Sequence, residues 1–510
     1  MADSNNKRIA RNTLFLYTRM MLIMVVSLYA SRVTLRVLGV DDFGIYQTVG
    51  GAVTFLAFLS NSLGSGTSRF LTFEMGKEKP RLQTLFSTVM IAHVVLGIAI
   101  VVVGEVVGLW FIYNKLIIPP DRLHAAVVAF HFSMIGTFFQ ITQVPYNATI
   151  IAHEHMDVYA WISIYEAVIK VALVFALLIF DYDKLEVYAV LMCIATISVI
   201  MIYRIYCRRK FPETRYKPEF DGEIFKEVAS FSGWHLLSSS GASLANQGVT
   251  IVTNMFFAPA VVTVRSLALR INDIINSFIG NFRTAVNPQI VKKYAAKDYE
   301  GSKKLALAST QYTFYLMLIM VLPLFLLVEP ALNIWLDEIP EGLIPFVQLA
   351  LVQGLFQSFD TSLYVPIYAK GRIRENAIIS PLFDSLQLPL IYVLFKMGFL
   401  PVTLAWVSMF AYAGLGLIVK PLLVHYVVGY ELGRIMKMEC RCLAVGAVSA
   451  VVPFILSMNV DVNTITGFAL VLFASLVSVA VFVWVLGLDR NMRAFLMGWV
   501  KDKLGKSDYN

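Results

Sequence analysis

The chain is 510 residues long, 58% hydrophobic and only 15% charged, with a net charge of +8. Apolar runs of about 20 residues recur from one end to the other, which excludes a soluble globular protein and points to an all-α polytopic membrane protein. The positive balance does not argue for nucleic acid, because basic residues of such a protein collect in its cytoplasmic loops.

The opening segment, MADSNNKRIARNTLFLYTRMMLIMVVSLYAS, has no small-residue cleavage site after a short apolar core. It is read as a retained first span. About fourteen transmembrane helices are expected on length and hydropathy. They lie near 12–35, 43–64, 85–108, 124–147, 157–180, 185–206, 231–256, 262–287, 306–328, 343–366, 376–398, 400–424, 440–458 and 464–487.

With the N-terminus inside, one set of termini and loops holds Lys7, Arg8, Arg11, Arg69, Lys77, Lys79, Arg81, the cluster Arg204 to Lys226, Lys292 to Lys304, Lys370, Arg372, Arg374 and the tail Arg490 to Lys506. The other set holds little beyond Arg36, Lys115, Arg122, Lys184 and Lys396. That bias places both termini in the cytoplasm.

The segment 207–230 has Pro212, Pro218 and mixed charge. It reads as a cytoplasmic linker that ends in a short amphipathic helix, Asp221 to Ser230, lying at the membrane surface. A weak internal repeat straddles it. Pro145 matches Pro366, Phe70 matches Ile290, and Thr88 and Thr310 close equivalent loops, all at an offset of about 220 residues. The repeat unit is six spans, an even number, so the expected architecture is two parallel six-helix lobes around a central cleft. Residues 1–206 form the first lobe, 207–230 the linker and 231–425 the second lobe. Residues 426–510 add two further spans and a basic tail. Pro145 and Pro366 are expected to end or kink their helices.

The stretch Val264 to Gln289, VRSLALRINDIINSFIGNFRTAVNPQ, organises the rest. It has the length of a span, yet it carries Arg265, Arg270, Asp273 and Arg283. Wound at about 100° per residue, its polar residues take one half of the wheel and its apolar residues the other. A basic side chain held against lipid at mid-bilayer costs on the order of 3 kcal/mol or more. The polar side must therefore face water or a polar partner.

Three segments together, SRVTLRVLGVDDFGIYQTVGG, GSGTSRFLTFEMGKEK and RSLALRINDIINSFIGNFRTAVNPQIVKKYAAKD, resemble the Wzx-type polysaccharide flippases. These belong to the MOP exporter superfamily, which also contains MurJ and the multidrug MATE exporters. The likeness runs from about residue 10 to residue 425. It implies alternating access and transfer of undecaprenyl-diphosphate-linked oligosaccharide across the bacterial inner membrane for O-antigen, capsule or exopolysaccharide assembly. It also implies polysaccharide polymerase and co-polymerase proteins as partners, beside the bilayer itself.

A lipid-diphosphate head needs cations deep in the membrane, and arginine suits it because its planar fork bonds two oxygens and stays charged. The expected substrate-binding residues are Arg270, Arg19, Arg265, Arg283 and Asn276. Each has a plainer alternative: Arg270 and Asp273 neutralise each other, Arg265 and Arg283 snorkel, and Arg19 meets a structural partner. Glu166 and Lys170 are spaced for a helix ion pair, buried and structural or else a relay. Asp360 and Asp384 are lone acids among apolar residues, so they and Asp273 join that pair as ion-coupling candidates. His93 and His131 read as ordinary helix contacts.

No hydrolase or transferase constellation, Walker loop or metal-site spacing stands out, so no enzyme activity and no cofactor are expected. The run His153-Glu154-His155 reads as a cytoplasmic loop. Cys193, Cys207, Cys440 and Cys442 read as unpaired thiols. The alternative function is a MATE-like cation or drug antiporter, which would present acids and aromatics in place of arginines. A membrane enzyme acting on lipid-linked sugars would need a large outer loop, and the gap near 109–123 is short.

Overall fold

The computed structural model describes residues 24–50, 80–153, 155–230 and 247–489, with parts of 64–77 and two residues beyond 490. All regular structure among the described residues is helical. Nine helices or helix pairs there are long and apolar enough to cross a membrane. They match the expected spans 85–108, 124–147, 157–180, 185–206, 306–328, 376–398, 400–424, 440–458 and 464–487. The expected spans 12–35, 43–64 and 231–256 fall partly outside the described residues.

In chain order the helices are α1 (24–50), α2 (Leu82–Asn114), α3 (Leu123–Ala152), α4 (Met156–Ala176), α5 (Lys184–Lys210), α6 (222–230), α7 (Val249–Phe256), α8 (Pro259–Ala295), α9 (Tyr299–Leu326), α10 (Val328–Trp335), α11 (Leu343–Lys370), α12 (Arg374–Ser385), α13 (Gln387–Lys396), α14 (Thr403–Gly414), α15 (Lys420–Leu423), α16 (Leu432–Asn459) and α17 (Ile465–Phe482). Wider π-type turns flank α15, at 415–419 and 424–428. Within α1, Gly39 has φ +78°. A left-handed residue cannot continue a right-handed helix, so the run turns there, between the expected spans 12–35 and 43–64.

The chain divides into two compact units. One comprises Met1–Ser266 with Asp384–Thr403, the other Leu267–Phe383 with Leu404–Asn510.

In the first unit α3 packs on α2 and α5, and α4 on α5. Their cores are aliphatic and aromatic: Ile45, Ile112, Phe130, Met134 and Leu185 in one cluster, Phe86, Tyr146, Ile150 and Tyr203 in another. One end is tied by charge. The Arg122 guanidinium donates from Nε to Asp42 at 2.8 Å and from its other nitrogens to Asp42 and Asp183. Asp183 also caps α5, accepting from the backbone of Leu185 and Glu186.

Burial alone would raise the Asp183 pKa, but Arg122 and those two N–H groups bring it below the usual range. Asp42 lies deeper, and its burial raises its pKa more than Arg122 lowers it. On acidification Asp42 is therefore the first to take a proton. The Asp183 contribution is complete above the ordinary aspartate range and is lost as pH falls through its lowered value. Arg122→Ala removes several charge-assisted bonds at once. It is expected to lower stability by about 2–3 kcal/mol, read as a fall in the Tm of the solubilised protein. Arg122→Lys should recover only part, because an ammonium cannot fork between two carboxylates.

The linker is a strap packed on protein. Asp221 accepts from the backbone of Glu223 and Ile224, which starts α6. Those N–H groups and Arg81, at 2.8 Å, hold its carboxyl below the usual range. Val228 and Ile224 pack with Leu71, Leu85, Val89, Ala148 and Ala152. The expected surface helix thus packs Ile224 and Val228 on the ends of α2 and α3 and leaves Phe225 exposed. Thr84 donates to Glu219, Gln83 to the Arg215 carbonyl, and the Lys217 and Asp221 amides donate to Ser87 and Thr88. His153 binds Glu213 at 2.6 Å and stacks on Phe211, so this residue of the expected loop is a docking point for the strap.

Two further expectations need correction. Thr88 and Thr310 do not close loops; they lie inside α2 and α9. Pro145 and Pro366 do not end their helices, which run on to Ala152 and Lys370. In the second unit α9 packs against α11, α16 and α17. Phe314 stacks on Phe359 at 5.0 Å in the middle of that core.

Candidate substrate and ion site

With 37 residues, α8 reaches about 55 Å, enough to cross a bilayer. Its apolar side is consumed inside the protein: Val264, Leu267, Ala268, Ile275 and Ile279 are buried. Its polar side is the open one. Asp273 and Ser277 are exposed, and Arg270, Asn276 and Arg283 are partly so. An ordinary lipid-facing span has the opposite arrangement.

Arg265 is buried and donates to Thr250 on α7 at 2.7 Å, so one edge of its fork is already engaged within the first unit. Arg270, Asp273, Asn276 and Arg283 belong to the second unit. Asn276 donates to Asn272 at 3.1 Å and to Gln357 of α11 at 3.2 Å. Its amide group is therefore part of a polar seam between α8 and α11. Arg283, lower on the same helix, feels the Asp360 charge from α11. Arg19 lies outside the described residues.

Asp360 and Asp384 are not lone acids. Asp360 sits 3.1 Å from Lys420 Nζ. Asp384 is buried, and its carboxylate accepts from Gln387 at 2.6 Å. Each acid finds its partner because an unpaired buried carboxylate is far more expensive than a bonded one. Glu166 and Lys170 do pair, at 2.6 Å, but both side chains are 42% exposed rather than buried.

The residue missed by sequence reasoning is Lys420. It is 3% exposed and lies between the two π-type turns near α14. It forms an ion pair with Asp360 and donates to Ser380 Oγ at 3.1 Å and to Asn376 Oδ1. The Tyr364 ring stands 5.6 Å away. A lysine inside the apolar run 403–424 was the available signal. Glu105 was missed as well; its carboxylate pairs with His131 at 2.9 Å, across α2 and α3. His93 bonds the Val89 carbonyl of its own helix.

In the second unit, three cations (Arg270, Arg283 and Lys420) thus share α8, α11 and residues 415–423 with two carboxylates, Asp273 and Asp360. Two cations are on the open or half-open side of α8, and the third is locked to its acid. Such a set can receive an anion at the arginines and pass charge through the Asp360–Lys420 pair.

Comparison with known proteins gives the fold and the family. Residues 9–293 match the family described as polysaccharide biosynthesis protein. No curated protein matches the chain. A solved structure of the Lipid II flippase MurJ in an inward closed conformation aligns with TM-score 0.70 at 12% identity, covering 92% of this chain and 97% of that one. An inward-facing multidrug resistance MATE family transporter aligns with TM-score 0.66 at 15% identity, covering 85% and 98%. A MOP superfamily transporter from Pyrococcus furiosus aligns with TM-score 0.57 at 15% identity, covering 85% and 96%. The family match spans more than half of the chain, and the structural matches carry the fold through most of it. The chain belongs to the polysaccharide biosynthesis protein family and has the all-helical, multi-pass fold of the MOP superfamily transporters.

Proposed function

We propose that this protein is a flippase for undecaprenyl-diphosphate-linked oligosaccharide in the bacterial inner membrane, with both termini in the cytoplasm. The observation that carries the reading is the inverted amphipathicity of α8. An exposed face of a membrane-length helix borders either lipid or water. Asp273 and Ser277 are exposed there beside Arg270, and lipid would penalise these groups by several kcal/mol in total, on the order of 3 kcal/mol per charge. The polar side therefore borders water, and it offers guanidinium forks to a diphosphate.

In the proposed cycle Arg270, with Arg283, Arg265 and Arg19 as further candidates, receives the pyrophosphate on the cytoplasmic side. Asn276 positions the sugar end of the head group. The prenyl tail stays in lipid while the binding side is exposed alternately to the two faces. Asp360 with Lys420 is the favoured ion-coupling pair, since a buried acid and base of this kind exchange a proton without leaving a bare charge. Asp384, Asp273 and Glu166–Lys170 are lesser candidates. Support comes from the family match and from the shared fold with a lipid-linked flippase. Product would pass to polysaccharide polymerase and co-polymerase partners. The cation or drug antiporter reading is weaker, because Lys420 already occupies the acid that a cation would need.

The test is transport of a labelled lipid-linked glycan into vesicles holding the purified protein. Arg270→Ala should slow transfer at least about tenfold, the loss of one charge-assisted contact. Arg270→Lys should restore part of the rate. Normal transfer in Arg270→Ala, with the protein folded and inserted, would remove this residue from the mechanism.

A further inference from the structure

The carboxyl of Glu439 on α16 has no role in anything above. It is 1% exposed. No described residue places a hydrogen-bond partner against either of its oxygens. Buried polar groups are bonded as a rule, so an orphaned acid needs a reason to be there. Inside a membrane protein, a lone ionisable group is first of all a functional candidate.

Among the described residues, Lys437 and Cys440 of α16 are exposed, and the other titratable or charged neighbours are engaged elsewhere. On α16 itself, Cys442 is one turn away, with its thiol against Met438 sulfur at 3.9 Å. Arg441 turns outward to Asp489 at 2.7 Å and to the Leu486 carbonyl at 2.6 Å. Arg434 pairs with Glu431 and Glu300. From α9, the Tyr315 hydroxyl accepts from Gln311, which also donates to the Gly487 carbonyl. Tyr312 contributes a neutral phenol to the same cluster, and Lys303 faces Glu300 and Glu431. Neither α17 nor residues 483–487 carries a titratable group. Toward α15, Lys420 is held by Asp360, Asn376 and Ser380, and His425 by the Tyr430 carbonyl.

Among the described residues neither a cation nor an N–H stands against this carboxyl, and burial keeps bulk solvent from it, so the ionised form would be costly there. We propose that Glu439 is a proton-binding site. Its carboxyl carries the proton in the conformation seen here and gives it up to water in a conformation that wets this part of α16, which couples proton movement to transport. The coupling half rests on the flippase reading; the proton-binding half does not.

The first experiment treats the full-length protein in lipid vesicles with dicyclohexylcarbodiimide, an apolar reagent that adds to protonated carboxyls. Peptide mass spectrometry then reads the adduct. Adduct should form at Glu439 near pH 6 and fall about tenfold for each pH unit beyond the midpoint of titration. It should be absent in Glu439→Gln and present in Glu439→Asp. An unlabelled Glu439 at pH 6 overturns the proposal. The second experiment measures glycan transfer with and without a pH gradient. Wild-type transfer should respond to the gradient. Glu439→Gln, which stays neutral, should keep its Tm and lose the response. A Gln variant that keeps the response overturns the coupling half, and one that loses Tm as well makes the residue structural, with the Asp variant separating the two. If wild-type vesicles move no glycan, the flippase reading fails instead, and adduct formation alone decides whether Glu439 holds a proton.

Discussion

Replacing Lys420 by methionine is expected to destabilise the protein by about 3–5 kcal/mol, the usual loss when one partner of a buried ion pair is removed. The reason is what stays behind. Asp360, 17% exposed, would keep a carboxylate with no cation in contact. Arg283 feels the Asp360 charge but lies on another helix and is only partly buried, so it compensates weakly. The double variant Lys420→Met with Asp360→Leu should recover most of the stability, because removing both members of a buried pair is often neutral. Thermal unfolding of the four proteins in one detergent closes the cycle. Single-variant losses that simply add in the double variant would mean that the 3.1 Å contact contributes nothing. In transport assays the double variant should fold and yet lose its response to an ion gradient, if this pair is the coupling site.

Gly44→Ala is the second substitution with a large expected effect, and here even the sign is informative. Alanine is a better helix former than glycine by about 1 kcal/mol. With free space around it, the change would stabilise. A Cβ on Gly44, however, would lie 2.0 Å from the Pro259 carbonyl oxygen and 2.9 Å from Thr263 Oγ1. The first is backbone and cannot swing away. Nearby, Thr263 donates to the Val40 carbonyl at 2.6 Å, so the α1 and α8 backbones are pinned where the methyl would go. Forcing the helices apart should cost about 1–3 kcal/mol or more, seen as a lower Tm and poor recovery of monodisperse protein. An unchanged or raised Tm would show that α1 and α8 do not meet so closely.

These two positions also mark how far the sequence could be read. The split of α8 into a polar and an apolar half follows from residue order alone, because side chains of a helix are placed by a fixed rotation. The same holds for the nine long apolar helices, whose bounds agree with the expected spans to within several residues. Asp360 was legible as unusual, since a charge in an apolar run always is. Its partner was not legible. Lys420 lies far along the chain, and only the packing of α11 against residues 415–423 brings them together. The strap was half-read: its composition announced a linker with an amphipathic helix, but a sequence cannot say whether an apolar stripe will meet lipid or the ends of α2 and α3.

Alone, then, the amino-acid order determined that this is a multi-pass helical membrane protein, which membrane-length stretch carries charge along one side, and through shared segments the family to which it belongs. These are properties of local hydropathy and of rotation along one helix, where each residue acts with its near neighbours. Tertiary structure decided which acids are paired, that Glu439 is left without a partner among the described residues, and that the polar half of α8 is the uncovered one. Pairing and burial depend on distances between segments far apart in the chain, and those distances exist only once the helices have packed.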